Sequence, residues 1–126
     1  DFGRILRESG ASSLNDVSDG LSREINEIAL ASRVTIELEK ERIPLSDELC
    51  RWGQDCGKEP FHFAINGGED YELVGTISKK NWEYVKGIGG VTGIGHVTKA
   101  GKGQVFLKDK NSIKLLTIAG YDHFRS

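Results

Sequence analysis

An α+β fold with a mixed β-sheet packed against helices is what this sequence predicts. Two observations carry the expectation. Helical and extended periodicities alternate through the first half of the chain, and two short alternating segments close it as a hairpin. That order favours α+β over a doubly wound parallel sheet. With 126 residues there is enough chain for one domain with a real core.

Residues 1–10 read as the last turns of a helix, with Phe2, Ile5 and Leu6 on one face and Gly10 suited to a C-cap. The stretch has neither an initiator methionine nor a cap of its own, so a piece of a longer protein is expected. Residues 12–17 form a short, partly polar strand candidate. A helix follows over about 20–32, placing Leu21, Ile25, Ile28 and Ala29 together, with Arg23, Glu24, Asn26 and Glu27 largely opposite. Residues 34–39 alternate apolar and polar with β-branched side chains, the pattern of a half-buried strand.

Ile43-Pro44-Leu45 is an extended link. Ser46 caps a short helix with Asp47 and Glu48 in its first turn and Leu49 and Trp52 turned inward. Gly57-Lys58-Glu59-Pro60 breaks the pattern, and residues 61–65 offer a further helical turn. A glycine-rich acidic loop at 66–70 runs into a strand over 71–77. Residues 81–86 predict a helix with Trp82 and Val85 inward, and 87–90 a loop. A strand is expected over 91–97, carrying Gly93 and Gly95. Residues 104–107 and 112–116 form the hairpin around 108–111, and 120–124 are a tail.

Composition excludes several classes. A formal net charge of −2 gives no electrostatic case for nucleic acid or an anionic membrane. The 16 glycines have no repeat period. No stretch reads as a signal peptide and no apolar run approaches membrane-spanning length, so a cytoplasmic protein is expected. Cys50 and Cys56 fit neither C-x-x-C nor a zinc pattern and are expected to be reduced and structural. His62, His96 and His123 have no ligand spacing. The glycines between 87 and 95 match neither phosphate-loop pattern and read as turns. Lys99, Lys102, Lys108 and Lys110 read as a solvated basic end.

Two stretches carry chemistry. In Asn15-Asp16-Val17-Ser18-Asp19-Gly20-Leu21 two carboxylates lie three residues apart, with a hydroxyl between them, just before a helix. If the residues up to about Val17 are extended, the acids sit at a strand-to-helix turn, where helix amides attract phosphate. Two aspartates beside a phosphate make sense with a cation between them, and hard oxygen ligands suit Mg²⁺. The plain alternative is an N-cap in which Ser18 or Asp19 satisfies first-turn amides. The second stretch is Gly67-Gly68-Glu69-Asp70-Tyr71-Glu72-Leu73, two glycines that allow close approach of a ligand followed by acids at the mouth of a strand. Its alternative is a plain loop-to-strand turn.

With Gly120-Tyr121-Asp122-His123-Phe124, these stretches resemble, in order and spacing, the C-terminal half of bacterial thiamine-monophosphate kinases. That family is grouped with aminoimidazole ribonucleotide synthetase, selenophosphate synthetase and the hydrogenase maturation dehydratase. The resemblance covers nearly the whole chain. D-x-S-D-G-L marks the superfamily, while G-G-E-D-Y-E-L and G-Y-D-H-F mark the kinase. It implies that residues 1–126 are a single C-terminal domain of the aminoimidazole ribonucleotide synthetase-like fold, from a two-domain kinase. The N-terminal domain, absent from this chain, would carry most ATP and Mg²⁺ ligands and build a homodimer. The implied reaction is ATP plus thiamine monophosphate giving ADP plus thiamine diphosphate.

By position, the resemblance implies Asp16 and Asp19 as Mg²⁺ ligands and Ser18 as an ATP contact. It implies Glu69 and Tyr121 as contacts to thiamine monophosphate. The chain alone is expected to be inactive. Two positions depart from the family pattern: Asn15 stands where an apolar residue is usual, and Gly75 interrupts a strand that is usually bulkier. The alternatives are another ATP-using member of the superfamily, acting on a formylglycinamidine ribonucleotide, and a non-catalytic regulatory module that kept the fold.

Overall fold

The computed structural model describes residues 11–17, 20–57, 73–87, 90–117 and 120–121. Strand β1 (Ala11–Asp16) leads into helix α1 (Leu21–Ser32), which is followed by β2 (Val34–Glu39) and a single 3₁₀ turn (Lys40–Arg42). Helix α2 (Asp47–Cys56), β3 (Leu73–Ile77), α3 (Lys79–Val85) and β4 (Gly95–Ala100) come next. The hairpin β5 (Gln104–Asp109) and β6 (Ser112–Thr117) precedes a two-residue strand, β7 (Gly120–Tyr121).

Two sheets result. β1 and β3 pair antiparallel, and the larger sheet has the order β4-β2-β5-β6-β7. In it β2 and β5 run parallel while every other neighbouring pair is antiparallel, so the sheet is mixed, as expected. Helix α1 supplies Leu21, Ile25, Ile28 and Ala29 to the core, the four residues that its period picks out. They meet Ile36 and Leu38 of β2, Val105 and Leu107 of β5, and Leu116 of β6. Each such buried aliphatic side chain contributes about 1.5–3 kcal/mol by leaving water. Val17 and Val74 pack against the same core and so tie the small sheet to the large one.

The helix ends follow their sequence signals. Ser46 Oγ accepts a hydrogen bond from Leu49 N at 3.1 Å, and Ser78 Oγ accepts one from Asn81 N at 3.1 Å. Gly57 ends α2 in the left-handed conformation, at φ 69°. Cys50 and Cys56 are free thiols. Lys99, Lys102, Lys108 and Lys110 are all exposed.

Three details differ from the sequence reading. The strand expected over 91–97 begins only at Gly95 and runs on to Ala100. Val91 and Ile94 suggested an earlier start. At Gly95 the backbone lies so close to β2 that an added Cβ would collide with Glu37 O. Among the described residues β4 pairs only with β2, and all six of its residues are exposed, so it needs no apolar alternation. Trp52, expected inward, is 38% exposed. Glu24, expected opposite the apolar stripe, is 7% exposed. It lies three residues after Leu21 and four before Ile28, on the rim of a buried face wider than four residues. The helical turn expected over 61–65 lies outside the described residues.

Candidate functional site

The site is built on the pairing of β1 with β3. Their register sets Asp16 opposite Leu73, Asn15 opposite Val74 and Leu14 opposite Gly75. Asp16 is the last residue of β1 and Leu73 the first of β3. Antiparallel pairing therefore brings two chain ends to one edge of the small sheet. Asp16 opens the D-x-S-D-G-L motif and Leu73 closes the G-G-E-D-Y-E-L motif, whose residues 67–72 lie outside the described residues. The strand register sets Asp16 and Leu73, far apart in sequence, opposite each other.

Val17 packs against the core, and Gly20 stands at the N-cap of α1 with φ 101° and ψ 149°. That backbone region is essentially reserved for glycine. Gly20 O accepts the first helical hydrogen bond, from Glu24 N at 3.2 Å. β1 thus ends at Asp16 and α1 begins at Leu21, so the acidic stretch falls between a strand and a helix, as the sequence suggested. Its N-cap position falls to Gly20, a residue with no side chain to offer, and neither Ser18 nor Asp19 occupies it.

Tyr121 belongs to β7, where it pairs with Leu116 of β6. β7 also lies against α1, the helix that the acidic stretch leads into. For Asp16 and Tyr121 the backbone position and register are described. Ser18, Asp19 and Glu69 lie outside the described residues. Among the described residues no group of three or more His, Cys, Asp or Glu is placed to hold a metal ion. A separate open depression lined by Lys40, Glu41, Ile43, Leu45, Asp109 and Lys110 contains none of the sequence-predicted site residues. Its Lys40 Nζ and Asp109 Oδ2 are 3.4 Å apart.

One feature next to the site escaped sequence reasoning. Ser13 and Thr76, directly opposed on β1 and β3, share a half-buried hydroxyl–hydroxyl hydrogen bond of 2.8 Å. The signal available was only a pair of small hydroxyl residues in two partly polar strands, and nothing in the sequence said that they face each other.

The fold and this strand-turn-helix arrangement define a class. The chain belongs to the family described as AIR synthase related protein, C-terminal domain, whose model matches residues 2–108. Within that class the particular likeness is to thiamine-monophosphate kinases. The chain is 39% identical to that of Bacillus subtilis (strain 168) over 98% of its own length and 38% of the relative's. A solved structure described as AaThiL complexed with AMPPCP and TMP superposes with a TM-score of 0.70. It is 35% identical, over 98% of this chain and 37% of that one. The hydrogenase maturation protein HypE gives the same TM-score, 0.70, at 21% identity over 97% of this chain and 42% of that one, a likeness of fold. The chain thus spans well under half the length of these relatives.

Proposed function

We propose that this chain is the C-terminal domain of a kinase that phosphorylates thiamine monophosphate with ATP, giving thiamine diphosphate and ADP. The observation that carries the reading is the register Asp16 opposite Leu73, which pairs the first residue of D-x-S-D-G-L with the last of G-G-E-D-Y-E-L. The 39% identity to a thiamine-monophosphate kinase, and the AMPPCP and TMP held by a solved relative, support the substrate pair.

In this reading an oxygen of the acceptor phosphate attacks the γ-phosphorus of ATP. The bond to the β,γ-bridging oxygen breaks and ADP leaves. Such a reaction asks the protein mainly for positioning and charge neutralisation. The donor set fits Mg²⁺: Asp16 and Asp19 offer hard carboxylate oxygens beside a helix start, the ligand type this ion takes together with substrate phosphates. These two residues would hold the ion, which when bound neutralises phosphate charge. Ser18 contacts ATP. Glu69 and Tyr121 orient the thiamine moiety, a carboxylate and an aromatic face suiting its thiazolium cation. Most remaining ATP and metal ligands belong to an N-terminal domain that also builds a homodimer, and residues 1–126 alone are inactive. The kinase is cytoplasmic.

The test is ADP formation by the whole gene product offered thiamine monophosphate, thiamine or formylglycinamidine ribonucleotide in turn. Mg²⁺-requiring turnover with thiamine monophosphate alone, with thiamine diphosphate as product, is expected. Turnover with the ribonucleotide, or none with thiamine monophosphate, overturns the reading.

A further inference from the structure

We infer that Ser13 and Thr76 are positioning residues, whose hydroxyl pair locks the register of β1 on β3 and thereby places Asp16. This rests on the reading of Asp16 as a site residue given above. The need for a lock follows from the two strands themselves. β1 reads Ala-Ser-Ser-Leu-Asn-Asp and β3 reads Leu-Val-Gly-Thr-Ile. Leu14 pairs in register with Gly75 and Asn15 with Val74, so one polar residue and one glycine fall within the ladder. Register is well specified where an apolar alternation buries one face, and weakly specified in polar or glycine-containing strands. Among the described residues neither strand has a third strand beside it to settle the matter.

Beyond the backbone ladder and the packing of α1 on both strands, two side-chain contacts bear on the pair among the described residues. At the Asp16 end, Val17 and Val74 pack against the core. That apolar packing fixes depth but is non-directional, so it resists sliding along the strand only weakly. At the other end the 2.8 Å hydroxyl contact is directional, links residues 63 positions apart and is half-buried. It sits immediately beside a bulge. Ala11 pairs with Ile77 and Ser13 with Thr76, so Ser12 is an extra residue on β1. Bulges of this kind re-aim a strand and are frequent beside active sites. A slip of one residue would move every β1 side chain, Asp16 included, to the opposite face. The hydroxyl pair and the bulge together oppose that slip.

The test uses the whole gene product carrying Ser13→Ala, Thr76→Val, both together, or the conservative Ser13→Thr and Thr76→Ser. Turnover, its Mg²⁺ dependence and amide hydrogen exchange are measured well below the melting temperature. Each hydroxyl-removing change should lower kcat about three- to tenfold, the scale of a small misplacement of a reacting group. It should also raise the Mg²⁺ concentration for half-maximal rate. The double variant should be no worse than the poorer single one, as partners in one contact require. The conservative variants should behave as wild type. Exchange should quicken in peptides covering residues 11–17 and 73–77 and stay unchanged in β5 and β6. A lowered melting temperature with kcat, Mg²⁺ dependence and β1–β3 exchange all unchanged overturns the inference. If the wild-type protein shows no turnover with thiamine monophosphate, the proposed function fails, and exchange alone decides. Quickening confined to β1 and β3 then supports the lock, and its absence overturns it.

Discussion

Replacing Gly20 with alanine probes the turn on which the site depends. Gly20 has φ 101° and ψ 149°, and it is buried at the start of α1. A side chain in that backbone region costs about 1–3 kcal/mol. Gly57 supplies the internal control. It also has positive φ, at 69°, but ψ is 27° and an added Cβ would meet nothing within 4 Å. An alanine in that left-handed well costs about 1–2 kcal/mol. At both positions alanine also restricts the unfolded chain, returning about 0.4–1 kcal/mol. Gly57→Ala should therefore lower stability by about 1 kcal/mol or less, and Gly20→Ala by about 1–2 kcal/mol. The larger difference lies in function. Relief of strain at Gly20 must shift the turn that joins Asp16 to α1, so turnover should fall on the order of tenfold or more. Gly57→Ala should leave it intact. Thermal midpoint and steady-state turnover of the whole gene product, compared between the two variants, give the answer. Equal effects on both quantities would refute the assignment of a strained, functionally coupled turn at Gly20.

The other expectations are briefer. Gly95→Ala drives a Cβ into Glu37 O and to 2.9 Å from Leu38 Cα. It should destabilise by about 1–3 kcal/mol, as overpacking against rigid backbone does, and should raise amide exchange in β4 first. Leu107→Ala and Leu116→Ala, each at a fully buried position, should cost about 2–5 kcal/mol apiece in thermal or denaturant unfolding. Tyr121→Ala should raise the Michaelis constant for thiamine monophosphate several-fold, equivalent to about 1–2 kcal/mol, and leave that for ATP nearly unchanged. Measuring both constants for Tyr121→Ala and Tyr121→Phe separates a ligand contact from mere packing, which would move them together.

Much of the fold was legible because its core elements are strongly periodic. Leu21, Ile25, Ile28 and Ala29 declare the face of α1, and Ile36 and Leu38 that of β2. Ser46 before α2 gave its cap and Gly57 its stop, whereas the cap of α3 at Ser78 was not read. The start of β4 was illegible because all six of its residues are exposed, so it needs no apolar alternation. Trp52 misled because aromatic character at helical spacing does not fix how much of a side chain is covered, and this one stays 38% exposed. The candidate site was legible only as separate motifs. That Asp16 lies opposite Leu73 is a property of strand register, and neither polar β1 nor Gly75-containing β3 carries an alternation from which that register could be read.

The most direct measurement is the effect of Asp16→Asn on activity and stability together, in the whole gene product. Asparagine keeps the size of the side chain and some capping ability but loses a full charge. If Asp16 holds a metal ion, turnover should fall on the order of 10²-fold or more, the scale of losing one preorganised electrostatic group. Stability should then change by less than about 1 kcal/mol, the scale of a helix cap. Near wild-type turnover with a lowered melting temperature would contradict the metal site and leave Asp16 a structural residue at the end of β1.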